Sequence, residues 1–290
     1  MTGATSGLGF ETAIALAQAG ADVIVAGRHE SQGRWTVGKI RPLAQASLVR
    51  FEQLDLSKLS AIADFVRRIE RFERPIDLLV NNAGVMALPR RLVTVDGFEM
   101  QLATNYLGHF ALTARLMPLL RRGLDPRVVQ VSSLSHRWAQ INLDDLHMER
   151  RYRPLQAYAQ SKLAMLMFAI ELQRRSDAGQ WRVMSVAAHP GYARTALFQN
   201  GPGSRSLINR VHRTVGGWFG HSAAAGALPL LYAATAPKVK PGEYYGPQGA
   251  FQLAGPSGVA PIGARAKDRE LARRLWEVSE GLTGVSWPEA

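Results

Sequence analysis

Five stretches of the chain are more continuously apolar than alternating: "ADVIVAG" (21–27), "SLVRFEQLDL" (47–56), "IDLLVNNAG" (76–84), "RVVQVSS" (127–133) and "WRVMSVAAHPG" (181–191). Such runs read as strands covered on both faces, the habit of parallel sheets. Helical stretches lie between them, at 7–19, 57–73, 97–122 and 155–175. Strand alternating with helix predicts an α/β fold built on a doubly wound parallel sheet. Residues 196–220, "ALFQNGPGSRSLINRVHRTVGGWFG", break the rhythm and are expected to form a lid or short helices. A helix at 222–235, a Gly/Pro-rich stretch at 241–263 and a charged helix at 267–280 complete the chain. With no linker and no internal repeat, residues 1–290 are expected to form one domain with a tail from 241 to 290.

The start of the chain carries the first chemistry. "TGATSGLG" places glycines at 3, 7 and 9 directly before an alanine-rich helix. Small residues let the backbone approach a pyrophosphate, and a helix N-terminus offers unpaired N–H donors with a positive dipole end. No lysine follows the last glycine, which disfavours a nucleoside-triphosphate loop. The strand that ends in "VAGRH" offers Arg28 where NAD-preferring sites place a carboxylate for the ribose 2′-hydroxyl. A guanidinium there suits a 2′-phosphate, so the expected cofactor is NADP(H) rather than NAD(H).

Composition then narrows the setting. The 290 residues are 47% hydrophobic and 20% charged, an ordinary globular balance. No apolar run approaches the roughly 20 residues that span a bilayer, and no cysteine is present for disulfides, thiolate metal sites or thiol nucleophiles. A cytosolic setting is the expectation. The formal charge of +12 comes from arginines scattered over sites such as Arg67, Arg121 and Arg150. Without a clustered patch interleaved with aromatics they do not predict nucleic-acid binding. The histidines lack metal-ligand spacing, so no metal is expected.

In "AYAQSKLAMLMFAIEL" (157–172), Tyr158 and Lys162 stand four apart, on one helix face. An ammonium beside a phenol favours the phenolate, so Lys162 is expected to lower the Tyr158 pKa toward a useful range. With the glycine turn, "NNAG" (81–84), "TNYLGHF" (104–110), "VSS" (131–133) and "HPGYART" (189–195), the ordered set resembles the short-chain dehydrogenase/reductase family from residue 1 to about 195. The tail, with "LWEVSEGLTGV" (275–285), resembles its retinol-dehydrogenase-like branch.

That resemblance implies a Rossmann-type fold and a set of roles. Thr2, Gly3, Ser6, Gly7, Leu8 and Gly9 would surround the cofactor phosphates, and Arg28 the 2′-phosphate. Asp55 and Leu56 would meet the adenine, although Asp55 could instead cap the helix that begins near Ser57. Asn82, Ala83 and Gly84 would line the ribose side. Asn105 would hold a water relaying protons to Lys162. Ser133 would bind the substrate oxygen, Tyr158 would exchange its proton, and Lys162 would also grip the nicotinamide ribose. Pro190, Gly191 and Thr195 would hold the carboxamide end.

The implied reaction is hydride transfer between NADP(H) and a lipophilic carbonyl or alcohol. An NADP(H)-sensing protein without turnover is the alternative. A sugar epimerase, which shares Tyr-x-x-x-Lys, is disfavoured by "NNAG" and the short C-terminal region. Pairing of two copies through the helices around 97–122 and 155–175 would follow the family habit. Ser133 and Tyr158 lie 25 apart, more than most members have, so residues 134–157 read as an insertion beside the site. His136, Trp138 and His147 within it read as substrate-loop or surface residues.

The glycine turn normally hangs from a buried central strand, yet here it begins at Met1. Losing such a strand leaves backbone donors and acceptors unpaired on both neighbours. The expectation is therefore a start upstream of Met1, with the first strand of the sheet truncated in 1–290. Chains extended by several apolar residues are expected to melt at higher temperature and bind NADPH more tightly than 1–290. Cooperative melting and tight NADPH binding by 1–290 itself would overturn this.

Overall fold

The computed structural model describes residues 1–44, 46–192 and 222–289. Each apolar run becomes a strand: β1 (Val23–Gly27), β2 (Val49–Gln53), β3 (Leu78–Asn81), β4 (Arg127–Val131) and β5 (Met184–Ala188). The helices between them are α1 (Gly7–Gln18), α2 (Glu30–Ile40), α3 (Leu59–Glu70), α4 (Met100–Leu102), α5 (Gly108–Leu120) and α6 (Pro154–Ala178). Beyond the undescribed segment come α7 (Ala223–Thr235), β6 (Tyr244–Pro247), β7 (Ser257–Val259) and α8 (Arg269–Thr283). Strands β3-β4-β5-β6-β7 form one sheet, parallel except for β7, and β1-β2 form a parallel pair. The lid expected at 196–220 lies outside the described residues.

Met1 and Thr2 join the two sheets. Thr2 N–H donates to Val80 O at 3.0 Å on the β3 side, and Ala26 N–H donates to Met1 O at 3.0 Å on the β1 side. Thr2 also forms an isolated parallel bridge with Ala26. The two residues thus stand in line with the sheet, in the slot between β1 and β3. The Met1 nitrogen donates to Ile24 O at 3.0 Å.

Three features depart from the sequence reading. Helix α2 replaces a connection with no predicted element. Its sequence, "ESQGRWTVGKI", holds two glycines and a Thr-Val pair, all weak helix formers. Packing overrides propensity: a Cβ on Gly33 would lie 2.0 Å from the Phe51 ring, so the glycine lets α2 seat on β2. The Gly/Pro-rich stretch 241–263 likewise contains β6 and β7, with Pro247 at the end of β6 where its missing N–H costs little.

The helix predicted over 97–122 is divided. Residues Ala103–Leu107 form a π-turn between α4 and α5, a geometry frequent at functional sites. The C-terminal helix α8 then packs over α5 and α6. Phe110 and Trp276 meet edge-to-face at 5.0 Å between ring centroids, and Trp276 and Trp287 at 4.5 Å. The Arg175 guanidinium lies 4.4 Å over the Trp276 ring. This cluster covers faces of α5 and α6, so pairing two copies through those faces would first have to displace α8.

Candidate active site

The phosphate turn is anchored from behind by strand β3. Asn82 Nδ2 donates to Thr2 O at 2.9 Å and to Gly3 O at 3.3 Å, drawing the turn's carbonyls toward itself. The N–H groups of Asn82 and Ala83 both donate to Thr2 Oγ1, at 2.9 and 3.0 Å. This close seating requires small residues, since a Cβ on Gly9 would lie 2.2 Å from Gly3 O. Ser6 is the N-cap of α1 but makes no side-chain capping bond, and no acidic residue occupies the first turn. The first-turn N–H donors therefore keep their positive field for an anion.

A cleft of about 570 Å³ runs from this turn across the carboxyl ends of the strands. Its size falls within the roughly 300–1,000 Å³ typical of small-molecule sites. Arg28, His29 and Gln32 line one end, and Pro190, Gly191 and Tyr192 also border it. Among the described residues Arg28 forms no ion pair. The nearest carboxylate in sequence, Glu30, is taken by Arg34 (Nε to Oε1 3.1 Å). A close-packed glycine cradle and uncapped helix donors fit the phosphates of a dinucleotide.

Strand β4 and helix α6 deliver the polar groups at the cleft's centre. The Ser132 hydroxyl donates to Lys162 O at 2.7 Å and Lys162 Nζ donates to Val131 O at 2.9 Å, so the strand end and the helix are cross-tied. Ser133 Oγ accepts from Ser135 N–H at 3.2 Å, capping a short 3-10 turn over Leu134–Arg137. Lys162 Nζ stands 5.9 Å from the Tyr158 ring centroid. Burial pushes the Tyr158 pKa up to about 12, with the Ser133 side chain acting in the opposite direction. Burial also pushes Lys162 down to about 8. The expectation that the ammonium lowers the phenol's pKa is thus reversed here: burial raises it, and the group that opposes the rise is Ser133 rather than Lys162.

Most residues singled out from sequence border this one cleft: Thr2, Gly3, Ser6, Gly7, Leu8 and Gly9 from the turn, then Arg28, Leu56 and Asn82–Gly84. Ser133, Tyr158, Lys162, Pro190 and Gly191 join them. Asp55 does not. Its carboxylate accepts from Ser57 N–H (3.0 Å) and Ser57 Oγ (2.7 Å) in the turn ahead of α3, while Leu59 N–H, the first of that helix, donates to Asp96 Oδ2 at 2.8 Å.

Asn105 is fully buried in the π-turn, behind the cleft rather than on it. Its carboxamide clamps Val85, accepting from Val85 N–H at 2.8 Å and donating to Val85 O at 3.0 Å. Its second amide hydrogen goes to Ser161 Oγ at 2.8 Å. Both side-chain donors are thus used within the protein. Thr195 lies outside the described residues.

Sequence reasoning missed several contributors. Val85, Met86 and Leu88 form an apolar wall, detectable only in their position after "NNAG". His136 was read as a substrate-loop or surface residue but is buried: Nδ1 donates to Ser133 O at 2.7 Å and Nε2 accepts from Gly263 N–H at 3.3 Å. His147 stacks on Phe98 at 5.6 Å, while Trp138 is exposed. Among the described residues no group of His, Asp or Glu could hold a metal ion, and no helix is long and apolar enough to cross a membrane.

Comparison with known proteins agrees with this geometry. Residues 1–203 match the family described as short chain dehydrogenase. Polyprenol dehydrogenase from Mus musculus is 41% identical over 289 residues, which cover 98% of this chain and 83% of that protein. Retinol dehydrogenase 13 from Homo sapiens is 37% identical over 294 residues, covering 99% of this chain and 85% of that one. The crystal structure of an uncharacterized protein from Mycobacterium paratuberculosis superposes with a TM-score of 0.79 at 40% identity, covering 99% and 93% of the two chains.

Burial of the histidines sets an acid limit on stability. Burial pushes both His109 and His189 from 6.5 down to about 3. Between those values the unfolded chain binds protons that the folded chain refuses, so stability is full above about 6.5 and falls as pH drops. The loss is about 1.4 kcal/mol per pH unit for each such proton. Thermal melts at about pH 7.5, 6 and 5 are expected to show a falling midpoint; an unchanged midpoint would contradict the neutral assignment.

Proposed function

The chain belongs to the short-chain dehydrogenase family, with retinol-dehydrogenase-like relatives, and from that premise we propose that it moves a hydride between NADP(H) and a lipophilic carbonyl or alcohol. One observation carries the reading: Ser133, Tyr158 and Lys162 converge on the same cleft as the glycine turn and Arg28. When bound, a nicotinamide dinucleotide supplies the hydride donor or acceptor. The rest is the work of this chain's own side chains.

Tyr158 acts as general acid in the reducing direction. Burial keeps its hydroxyl protonated across the neutral range, so a proton is always available to an oxygen gaining negative charge. Ser133 donates to that same oxygen, stabilising the charge where it develops. Lys162 contributes its ammonium from a site shielded from water, where each charge interaction counts for more. In the oxidising direction the groups exchange roles, with Tyr158 receiving the proton.

Arg28 supports the 2′-phosphate because, among the described residues, it pairs with no carboxylate and no acidic residue lines the cleft. The apolar wall of Val85, Met86 and Leu88, with Leu134 across the cleft, supports a lipophilic substrate. The names of the polyprenol and retinol dehydrogenase relatives support the same class. NADP(H) sensing without turnover gains no specific observation, since Ser133, Tyr158 and Lys162 are all present.

Tyr158→Phe is expected to lower kcat for carbonyl reduction by about 100-fold or more while NADPH still binds. Nicotinamide absorbance measures the first and fluorescence titration the second. Retained turnover would remove Tyr158 from the chemistry, and NADPH binding by the unaltered chain without turnover of any lipophilic carbonyl would favour the sensor. Arg28→Ala is expected to weaken NADPH binding by about tenfold or more and to leave NADH binding unchanged. Equal losses for both would sink the 2′-phosphate assignment.

A further inference from the structure

Beneath the cleft lies a buried polar group to which no role in the reaction has been assigned. His109, in the first turn of α5, is fully buried. Its Nδ1 lies 3.0 Å from the Asn105 carbonyl oxygen and its Nε2 lies 2.9 Å from Thr2 Oγ1. A carbonyl can only accept, so Nδ1 carries the hydrogen. In the neutral ring Nε2 is then an acceptor, and the Thr2 hydroxyl proton points into it rather than to Val80 O at 3.4 Å. Every partner is satisfied in this one arrangement: Thr2 Oγ1 accepts two backbone N–H groups and donates once.

We propose that His109 is a positioning residue that ties the phosphate turn to the π-turn carrying Asn105, so that seating of the cofactor's phosphates and alignment of the Tyr158 helix are coupled. The connection is continuous. From Asn82 and Ala83 it passes through Thr2 to His109, and from His109 to the Asn105 carbonyl. The Asn105 carboxamide continues it to Val85 and to Ser161 Oγ, and the Ser161 hydroxyl donates to Tyr158 O at 2.7 Å. Turn, strand exit and helix α6 are thus held by one chain of directional bonds whose central members, Thr2, His109, Asn105 and Ser161, are all buried. Phenylalanine would fill the same volume but leave the Thr2 hydroxyl and the Asn105 carbonyl facing an apolar ring.

This inference rests on the reading of the turn as a phosphate site, and its tests separate from that of turnover. In the full chain labelled with ¹⁵N-histidine, His109 is expected to give the Nδ1–H tautomer; an Nε2–H ring would overturn the proposal whatever the activity. His109→Phe and Thr2→Val are each expected to raise the NADPH dissociation constant and to lower kcat at saturating NADPH by about tenfold. The double variant is expected to lose no more than the worse single variant, because the two act through one bond. Losses that multiply would overturn the coupling.

Thr2→Ser, which keeps the hydroxyl, is expected to regain affinity that Thr2→Val loses. A histidine that only fills space would lower the melting temperature and leave affinity unmoved. Should His109→Phe not melt cooperatively, the tautomer and the Thr2→Val to Thr2→Ser comparison still decide. An absence of carbonyl turnover in the unaltered chain would count against the proposed reaction, while the affinities and the tautomer would still judge the coupling.

Discussion

The Thr2 hydroxyl is the joint on which the rest of the architecture depends. It receives the N–H groups of Asn82 and Ala83 as the chain leaves β3, and it is 1% exposed along with its residue. Thr2 is also the residue that bridges to Ala26 on β1 and hydrogen-bonds to Val80 on β3. One residue therefore fixes the glycine turn, the strand exit lining the cleft and the seam between the two sheets. Inside an apolar core such a group cannot trade partners with water, so its geometry is stiff.

That stiffness explains how a cleft rich in titratable groups tolerates burial. Tyr158 and Lys162 both sit where desolvation disfavours charge, and both move toward their neutral forms. The lysine keeps an acceptor in Val131 O, and its own carbonyl is held by Ser132. The helix cannot slide without breaking both ties. The helix is thus positioned by contacts to backbone groups, and Tyr158 is left to border the cleft.

Much of this was legible in the chain, for reasons that can be named. Strands β1, β3, β4 and β5 are apolar because helices cover them on both sides, and such runs are visible without a structure. The glycine turn was legible because close backbone approach admits few residue types. Helix α2 was not, because its glycine answers to the Phe51 ring, a contact 18 positions further along. Asp55 stayed ambiguous because a carboxylate at a strand end can serve a cofactor or brace the turn that follows, and here its Oδ1 accepts from Ser57. The direction of the Tyr158 shift was also hidden. Spacing places an ammonium near a phenol, but burial, which decides the sign, belongs to the whole fold. His109 escaped notice since one histidine in "TNYLGHF" has no pattern of its own until Thr2 arrives from the other end of the sequence.

The insertion between Ser133 and Tyr158 reaches the cleft through its contacts with another segment. Its residues are braced against the segment after "NNAG" rather than left loose. Tyr152 OH donates to Leu88 O at 3.0 Å, Gln101 Nε2 donates to Tyr152 OH at 2.8 Å, and Arg91 Nε donates to His147 O at 2.9 Å. On the helix side, Gln160 Oε1 accepts from Asn142 N–H at 3.2 Å. These bonds fasten the insertion to the backbone of Leu88, whose side chain lines the cleft with Met86. A wall held by its main chain can present apolar side chains without needing polar ones to fix it. The same bonds therefore allow an apolar wall to stand in one cleft with the hydroxyls of Ser133 and Tyr158 and the amine of Lys162.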